Sequence, residues 1–123
     1  MREVLWVGVG GFVGSVARYL LGGWITNRLG PGFPYGTFAI NMTGSFILGF
    51  IMGTLEGHVM SPIVRLSMAI GFVGAYTTFS TFTYETLRLL EDGSFLLAGL
   101  NVVASVLVGL VSGSVGLASG RGI

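Results

Sequence analysis

Residues 71–83 read GFVGAYTTFSTFT and lie inside an apolar run that extends over about residues 62–90. Two glycines and five serine or threonine residues in this stretch are poor material for a continuous helix. In hydrocarbon, an unwound turn is tolerated only where it is buried in protein or lines a wet cavity. We therefore predict that this helix breaks near residues 74–78, at the middle of a membrane. Broken helices at that depth commonly build ion sites from free carbonyl and N–H groups.

Three further apolar runs accompany this one in a chain of 123 residues, of which 52% are hydrophobic and only 9% charged. A soluble domain carries about 25% charged residues, and a membrane helix needs about 20 apolar residues. The sequence therefore predicts an all-α, multi-pass protein of the cell membrane, with four transmembrane helices that form a single domain over residues 1–123. The predicted helices span about residues 4–24, 36–55, 62–90 and 94–117.

Several classes of function lack the residues that they need. The chain has no cysteine and a single histidine, His58, so no side-chain metal cluster is expected. No arginine or lysine cluster could neutralise nucleic-acid phosphates, so we expect no nucleic-acid partner. No carboxylate pair or Ser/His/Asp set lies at one depth, and we therefore predict that the protein is not an enzyme.

The arginines are divided evenly between the two membrane faces. Alternating across four helices puts three on each side, so the positive-inside rule gives no preferred orientation. We therefore predict a dual-topology protein whose oppositely inserted copies pair as an antiparallel homodimer. The two groups are Arg2, Arg65 and Arg121 on one side, and Arg18, Arg28 and Arg88 on the other.

Small residues recur at four-residue spacing, which lets helix backbones approach closely. Helices packed in this way leave no pore through a single subunit, so a conduction path would lie at a subunit interface or in grooves alongside it. The pairs are Gly10/Gly14, Gly49/Gly53, Gly109/Gly113 and Ser112/Gly116.

Polar side chains inside the membrane runs are the candidates for function. Asn41 lies well inside the second run, where its amide needs partners. It either makes a helix–helix hydrogen bond or serves as a donor that faces a pore. Arg18, near one end of the first run, either reaches the headgroups or gives a vestibule a positive field that attracts anions. Glu85 precedes Arg88 by three residues, and an ion pair between them at the membrane interface is the usual role of such a pair.

Phe79 and Phe82 are three residues apart and share a helix face. Packing or lipid contact is the usual role of such a pair. However, aromatic rings have positive edges, and the neighbouring threonines and serines offer hydroxyl donors. Ring edges, hydroxyls and an amide would suit a small anion without trapping it as a lysine would.

Three stretches together resemble one known family, the small fluoride channels called Fluc or CrcB. These are residues 10–19 (GGFVGSVARY), 36–49 (GTFAINMTGSFILG) and 71–82 (GFVGAYTTFSTF). The similarity extends over nearly the whole chain in order and spacing.

The resemblance implies a fluoride-selective channel that works as an antiparallel homodimer in membrane lipid. It has two pores along the subunit interface and exports toxic fluoride passively. By position, Asn41 would donate its amide to fluoride, and Phe79 and Phe82 from both chains would present ring edges. Ser80 and Thr81 would form a hydroxyl track, with Ser105 and Ser112 matching less specifically. Arg18 and Glu85 would lie at the vestibule. The backbone carbonyls of Gly74 and Thr77 would hold a structural Na⁺ on the two-fold axis.

Fluoride chemistry agrees with such a site. The ion holds water tightly, so a pore must replace its hydration with donors while remaining weak enough to release it. One position departs from the family, which usually has glycine where this chain has Ala75. If that position had positive φ, alanine would be disfavoured by about 1 kcal/mol or more.

Two alternatives from other classes fit the size of the chain. A small multidrug-type, dual-topology, proton-coupled exporter would need a membrane-embedded carboxylate in the first helix, where Glu3 only precedes the apolar run. A non-transporting membrane assembly subunit would explain the glycines but not the polar run at 77–83.

Overall fold

The structure is a computed structural model that describes all 123 residues, and every regular element in it is helical. Four spans are long and apolar enough to cross a membrane, which confirms the predicted architecture. They are α1 (Arg2–Leu29), α2 (Tyr35–Gly57), a third span (Pro62–Glu91) and α5 (Phe95–Arg121). The third span consists of α3 (residues 62–76) and α4 (Phe79–Glu91). The helices begin and end up to five residues outside the predicted limits, most clearly at the end of α1.

The third span is broken at its centre, as the sequence predicts. Helix α3 covers residues 62–76, and α4 covers Phe79–Glu91. Between them, Thr77 and Thr78 have extended backbone with ψ of 158° and 120°. Ala75 lies before the break, and no residue other than glycine has positive φ, so alanine is accommodated there without backbone strain.

Within α3, the segment Leu66–Val73 is a π-helix, a feature that the sequence pattern does not predict. Its outer face lies against α1, where both backbones approach through glycines. A Cβ atom at Gly10 would collide with the carbonyl oxygen of Ser67, and one at Gly14 with that of Phe72. A Cβ at Gly71 would lie 2.6 Å from the Val7 oxygen. The two backbones therefore approach directly along this seam.

The end of α1 lies five residues beyond the predicted limit. The Thr26 hydroxyl donates to the Gly22 carbonyl, and the Arg28 guanidinium lies 5.0 Å over the Trp24 ring, so the polar residues continue the helix. Gly30, at φ 86°, ends it. Arg18 is consequently eleven residues before Leu29, or about 16 Å at 1.5 Å per residue. The expectation that Arg18 lies near a helix end is therefore wrong.

Helices α2 and α5 form the other close seam, and the small residues mark it as predicted. A Cβ at Gly49 would collide with the Gly113 oxygen, and one at Gly116 with the Phe46 oxygen. Gly53 and Gly120 continue the same contact toward the helix ends. There, Arg121 binds Glu56 through two hydrogen bonds of 2.6 and 2.9 Å.

Gly116→Ala should destabilise the fold by about 1–3 kcal/mol, because its methyl group has no space against the α2 backbone. Gly99→Ala, on the same helix with open space around it, is the matched control and should cost less than about 0.5 kcal/mol. Denaturant unfolding of the purified protein in detergent micelles measures both. Equal midpoints for the two variants would contradict the close α2–α5 seam.

Candidate functional site

The break in the third span is held by the side chain of Asn41 on α2. The Thr78 N–H donates to Asn41 Oδ1 at 2.8 Å, and Asn41 Nδ2 donates to the Thr78 carbonyl at 3.0 Å. An N–H group requires an oxygen partner and a carbonyl requires a donor, so this pair of bonds also fixes which amide atom is which. One hydrogen of the Asn41 Nδ2 group is left over.

Because Asn41 takes the Thr78 N–H, the carbonyls before the break lose their usual partners. The regular i+4 partner of the Gly74 oxygen would be that N–H group. The regular partner of the Thr77 oxygen would be the Thr81 N–H, which instead donates to Thr78 Oγ1. Neither carbonyl accepts a hydrogen bond within the chain. The break therefore offers free oxygens on its α3 side.

The opposite chemistry lies on the α4 side of the break. Thr78 is the N-cap of α4: its hydroxyl accepts the Thr81 N–H at 3.2 Å and donates to Thr81 Oγ1 at 3.0 Å. The N–H groups of Phe79 and Ser80 meet no acceptor within the chain. A helix N-terminus carries partial positive charge, so this side of the break favours an anion.

Two further contacts fix the break against α2. The Tyr76 hydroxyl lies 2.8 Å from Thr43 Oγ1, and Tyr76 is almost fully buried. The Thr77 side chain occupies the space that Gly44 leaves open: a Cβ at Gly44 would collide with Thr77 Cγ2 and lie 3.3 Å from Tyr76 Cδ2. The position of the break is therefore set by α2.

A groove of about 290 Å³ runs along the outside of this clamp. It brings together four of the predicted pore residues, Asn41, Phe79, Phe82 and Ser105, with the threonines of the break. The Phe79 and Phe82 rings stack with centroids 5.8 Å apart, and Phe79 is 67% exposed in the single chain. The groove is lined by Asn41, Met42, Gly44, Ser45, Leu48, Val73, Thr77, Thr78, Phe79, Phe82 and Ser105.

A second groove, of about 340 Å³, adjoins the first at Thr78. It contains Arg18 and Thr81, which the sequence also singles out. Arg18 makes no ion pair within the chain, so its positive charge is available to an anion in this groove. The lining is Ser15, Arg18, Tyr19, Thr37, Ile40, Thr78 and Thr81.

Other predicted residues lie outside these two grooves. The Ser112 hydroxyl donates to the Met42 carbonyl at 2.7 Å and so joins α5 to α2. Ser80 is exposed on the first turn of α4, with its Oγ 3.5 Å from Thr78 Oγ1. Glu85 lines a separate cavity of about 230 Å³ near the end of α4 and makes no ion pair with Arg88.

The sequence reasoning placed Thr78 at the limit of the break and among the hydroxyl donors, but did not select it as a site residue, although its backbone and side chain are both central to the site. The signal was present, because a threonine three residues before another polar residue at the start of a helix is typical of an N-cap. Asn41 occupies the Thr78 N–H, the position that a glutamate or glutamine fills in a capping box. No group of three His, Cys, Asp or Glu side chains is placed to hold a metal.

Comparisons with known proteins agree with one another. A family model described as CrcB-like protein, camphor resistance (CrcB), matches residues 5–117. A protein of Geotalea daltonii named fluoride-specific ion channel FluC is 49% identical over 122 residues, 98% of each chain. Proteins of the same name from Geotalea uraniireducens and Acidobacterium capsulatum are 50% identical over 90% and 48% identical over 98% of each chain.

Proposed function

The chain belongs to the CrcB-like family, and on that premise we propose that it is a fluoride channel, a multi-pass membrane protein that releases toxic fluoride passively from the cell. The observation that carries the proposal is the clamp between Asn41 and Thr78. It leaves amide, hydroxyl and backbone donors unused beside a groove at the middle of the membrane.

The donors in the groove match the needs of fluoride. The remaining Nδ2 hydrogen of Asn41, the free N–H groups of α4 and the edges of the Phe79 and Phe82 rings replace water around the ion. All are neutral, and the first groove contains no charged side chain. Fluoride is therefore stabilised enough to enter and weakly enough to leave.

The second groove is the vestibule of the same path. Arg18 supplies the positive field that attracts anions into this groove. From there the ion passes Thr81 to reach Thr78, the residue that lines both grooves. Screening at physiological salt has a length of about 8 Å, so the field of Arg18 acts over the vestibule rather than across the whole groove. Glu85 lies farther along α4, at the middle of that helix, and lines a separate cavity.

The pore is completed by a second, antiparallel copy of the chain. Two features support this part of the proposal. The first groove is open, and Phe79, a residue of its wall, is two-thirds exposed. The free carbonyl of Gly74 lies on a residue that is itself exposed. A two-fold axis in the membrane plane would pair the grooves into two pores, each with phenylalanines from both chains.

The residues before the break fit a structural Na⁺. The carbonyl oxygens of Gly74 and Thr77 accept no internal hydrogen bond, and a hard cation prefers oxygen ligands of this kind. Two antiparallel copies would supply four such oxygens. When bound, the ion would neutralise the partial negative charge of these carbonyl oxygens and hold together the broken third spans of the two copies. Conduction itself depends on the hydrogen-bond donors of the groove.

The structure gives no support to a proton-coupled multidrug exporter. Helix α1 has one carboxylate, Glu3, in its first turn, where its side chain is 57% exposed and lies 3.6 Å from the amino terminus. The one carboxylate of α1 therefore lies at the exposed end of the helix, whereas such an exporter needs a carboxylate embedded in the membrane to couple proton and substrate.

Efflux from liposomes tests the proposal. Vesicles with purified protein, loaded with potassium fluoride, should release fluoride to an external electrode when valinomycin carries the compensating potassium. Matched vesicles loaded with chloride should retain it, because a narrow pore that surrounds fluoride with donors excludes a larger halide. Chloride release at the fluoride rate would contradict selectivity, and absence of fluoride release would contradict the function.

A further inference from the structure

We infer that Thr78 is a positioning residue for conduction: its hydroxyl directs the hydroxyl hydrogen of Thr81 into the vestibule, so that Thr81 meets the ion as a donor. The inference rests on the proposed function, because it concerns how this path presents hydrogen-bond donors to fluoride. Thr78 thus acts by orienting another hydroxyl group, whereas the other residues of the groove only line the path.

The first step is an account of the hydrogens at Thr78. A threonine hydroxyl has one hydrogen and two lone pairs. Thr78 Oγ1 accepts the Thr81 N–H at 3.2 Å, and its own hydrogen goes to the nearer of the two neighbouring hydroxyls, Thr81 Oγ1 at 3.0 Å. The Ser80 hydroxyl, at 3.5 Å, can donate to the second lone pair of the same oxygen. With that hydrogen between the two oxygens, Thr81 does not donate back to Thr78. The hydroxyl hydrogen of Thr81 must therefore point elsewhere.

The second step is where that hydrogen goes. Thr81 Oγ1 donates to no acceptor within the chain, and Thr81 lines the same groove as Arg18. An anion in this groove meets a hydroxyl hydrogen. If the bond between the two threonines ran in the opposite direction, Thr81 would present only lone pairs, which repel an anion. Donation from Thr78 also polarises the Thr81 hydroxyl and strengthens its next hydrogen bond.

The third step explains why Thr78 can hold this direction. Its backbone N–H and C=O are both hydrogen-bonded to Asn41. These bonds hold the Thr78 backbone in place and so restrict the position of its hydroxyl group. The orientation of the donors in the vestibule is thus linked to the clamp in the first groove. Thr78 is the residue that lines both grooves.

Four variants test this by fluoride efflux from liposomes, measured over a range of fluoride concentrations. Thr78→Val removes the hydroxyl at constant shape and should lower the maximal fluoride rate at least about tenfold, the usual value of a hydrogen bond to a charged group. Thr78→Ser keeps the hydroxyl and should restore the rate to within about twofold. Thr81→Val should match Thr78→Val. Thr83→Val is the control, because the Thr83 hydroxyl donates to the Ser80 carbonyl outside both grooves.

The double variant Thr78→Val/Thr81→Val decides whether the two residues act together. Its rate should equal that of Thr81→Val alone, because Thr78 acts through Thr81. Losses that multiply would overturn the inference, and so would an unchanged rate in Thr78→Val while the wild-type protein conducts. If the wild-type protein passes no fluoride, the proposed function itself fails.

A loss of folding in Thr78→Val is checked by the elution volume and circular dichroism of the purified protein. If that variant does not fold, Thr78→Cys replaces it, because a thiol has similar size and is a weak donor. Its rate should fall between those of the serine variant and Thr81→Val. A wild-type rate in a folded cysteine variant would overturn the inference.

Discussion

Asn41→Asp should lower the fluoride rate at least about 100-fold. The substitution replaces the donor to the Thr78 carbonyl with an oxygen, and it puts a negative charge beside the groove that we propose as the fluoride path. Loss of a hydrogen bond to a charged group costs about 1.5–3 kcal/mol, and about 2.7 kcal/mol corresponds to a hundredfold change in rate before the repulsion between carboxylate and anion is added. Fluoride efflux from liposomes measures the effect.

Asn27→Asp is the matched control for this substitution. It makes the same chemical change on the exposed last turn of α1, away from both grooves, and should leave the rate within about twofold. The Asn41→Asp protein should still elute as the wild type does, because the Thr78 N–H keeps an oxygen partner. A folded Asn41→Asp protein with an unchanged rate would remove Asn41 from the path.

Gly44→Ala should lower the fluoride rate by about tenfold or more. A methyl group at this position would occupy the space of Thr77 Cγ2, so the break must move away from α2. That displacement would strain the bonds between Asn41 and Thr78 and move the Thr77 carbonyl. Overpacking of this kind typically costs about 1–3 kcal/mol. If the conducting state is destabilised by this amount, the fluoride rate falls by about 5–150-fold.

A second substitution should rescue this loss. Thr77→Ser removes the Cγ2 atom that the new methyl group meets, so Gly44→Ala/Thr77→Ser should recover most of the wild-type rate. Gly57→Ala, on the same helix with open space around it, is the control and should have little effect. If Thr77→Ser alone is fully active and the double variant does not recover, the collision with Thr77 Cγ2 is not the cause of the loss in Gly44→Ala.

The parts of the fold that the sequence predicts are those encoded by local composition. The four apolar runs determine the spans, and the glycine and threonine content of residues 71–83 determines the break. Asn41, Phe79 and Phe82 were selected because an amide and paired rings are unusual at that depth. The structure places all three in one groove.

Other features depend on how helices meet, which local composition does not encode. The π-helix at Leu66–Val73 lies where the α1 backbone approaches through Gly10 and Gly14, and nothing in its own sequence requires it. Whether Ser112 faces a groove or the Met42 carbonyl depends on the rotation of α5 against α2. The depth of Arg18 depends on the length of α1, because Asn27 and Arg28 read as a linker but continue the helix.

The central claim is that this chain conducts fluoride passively through the path clamped by Asn41, and the reversal potential of the current tests it most directly. In a planar bilayer with a tenfold fluoride gradient, the current should reverse at the fluoride equilibrium potential, about 59 mV, and a pH gradient should not move it. A reversal potential that shifts with the pH gradient, or the absence of fluoride current from folded protein, would contradict the account.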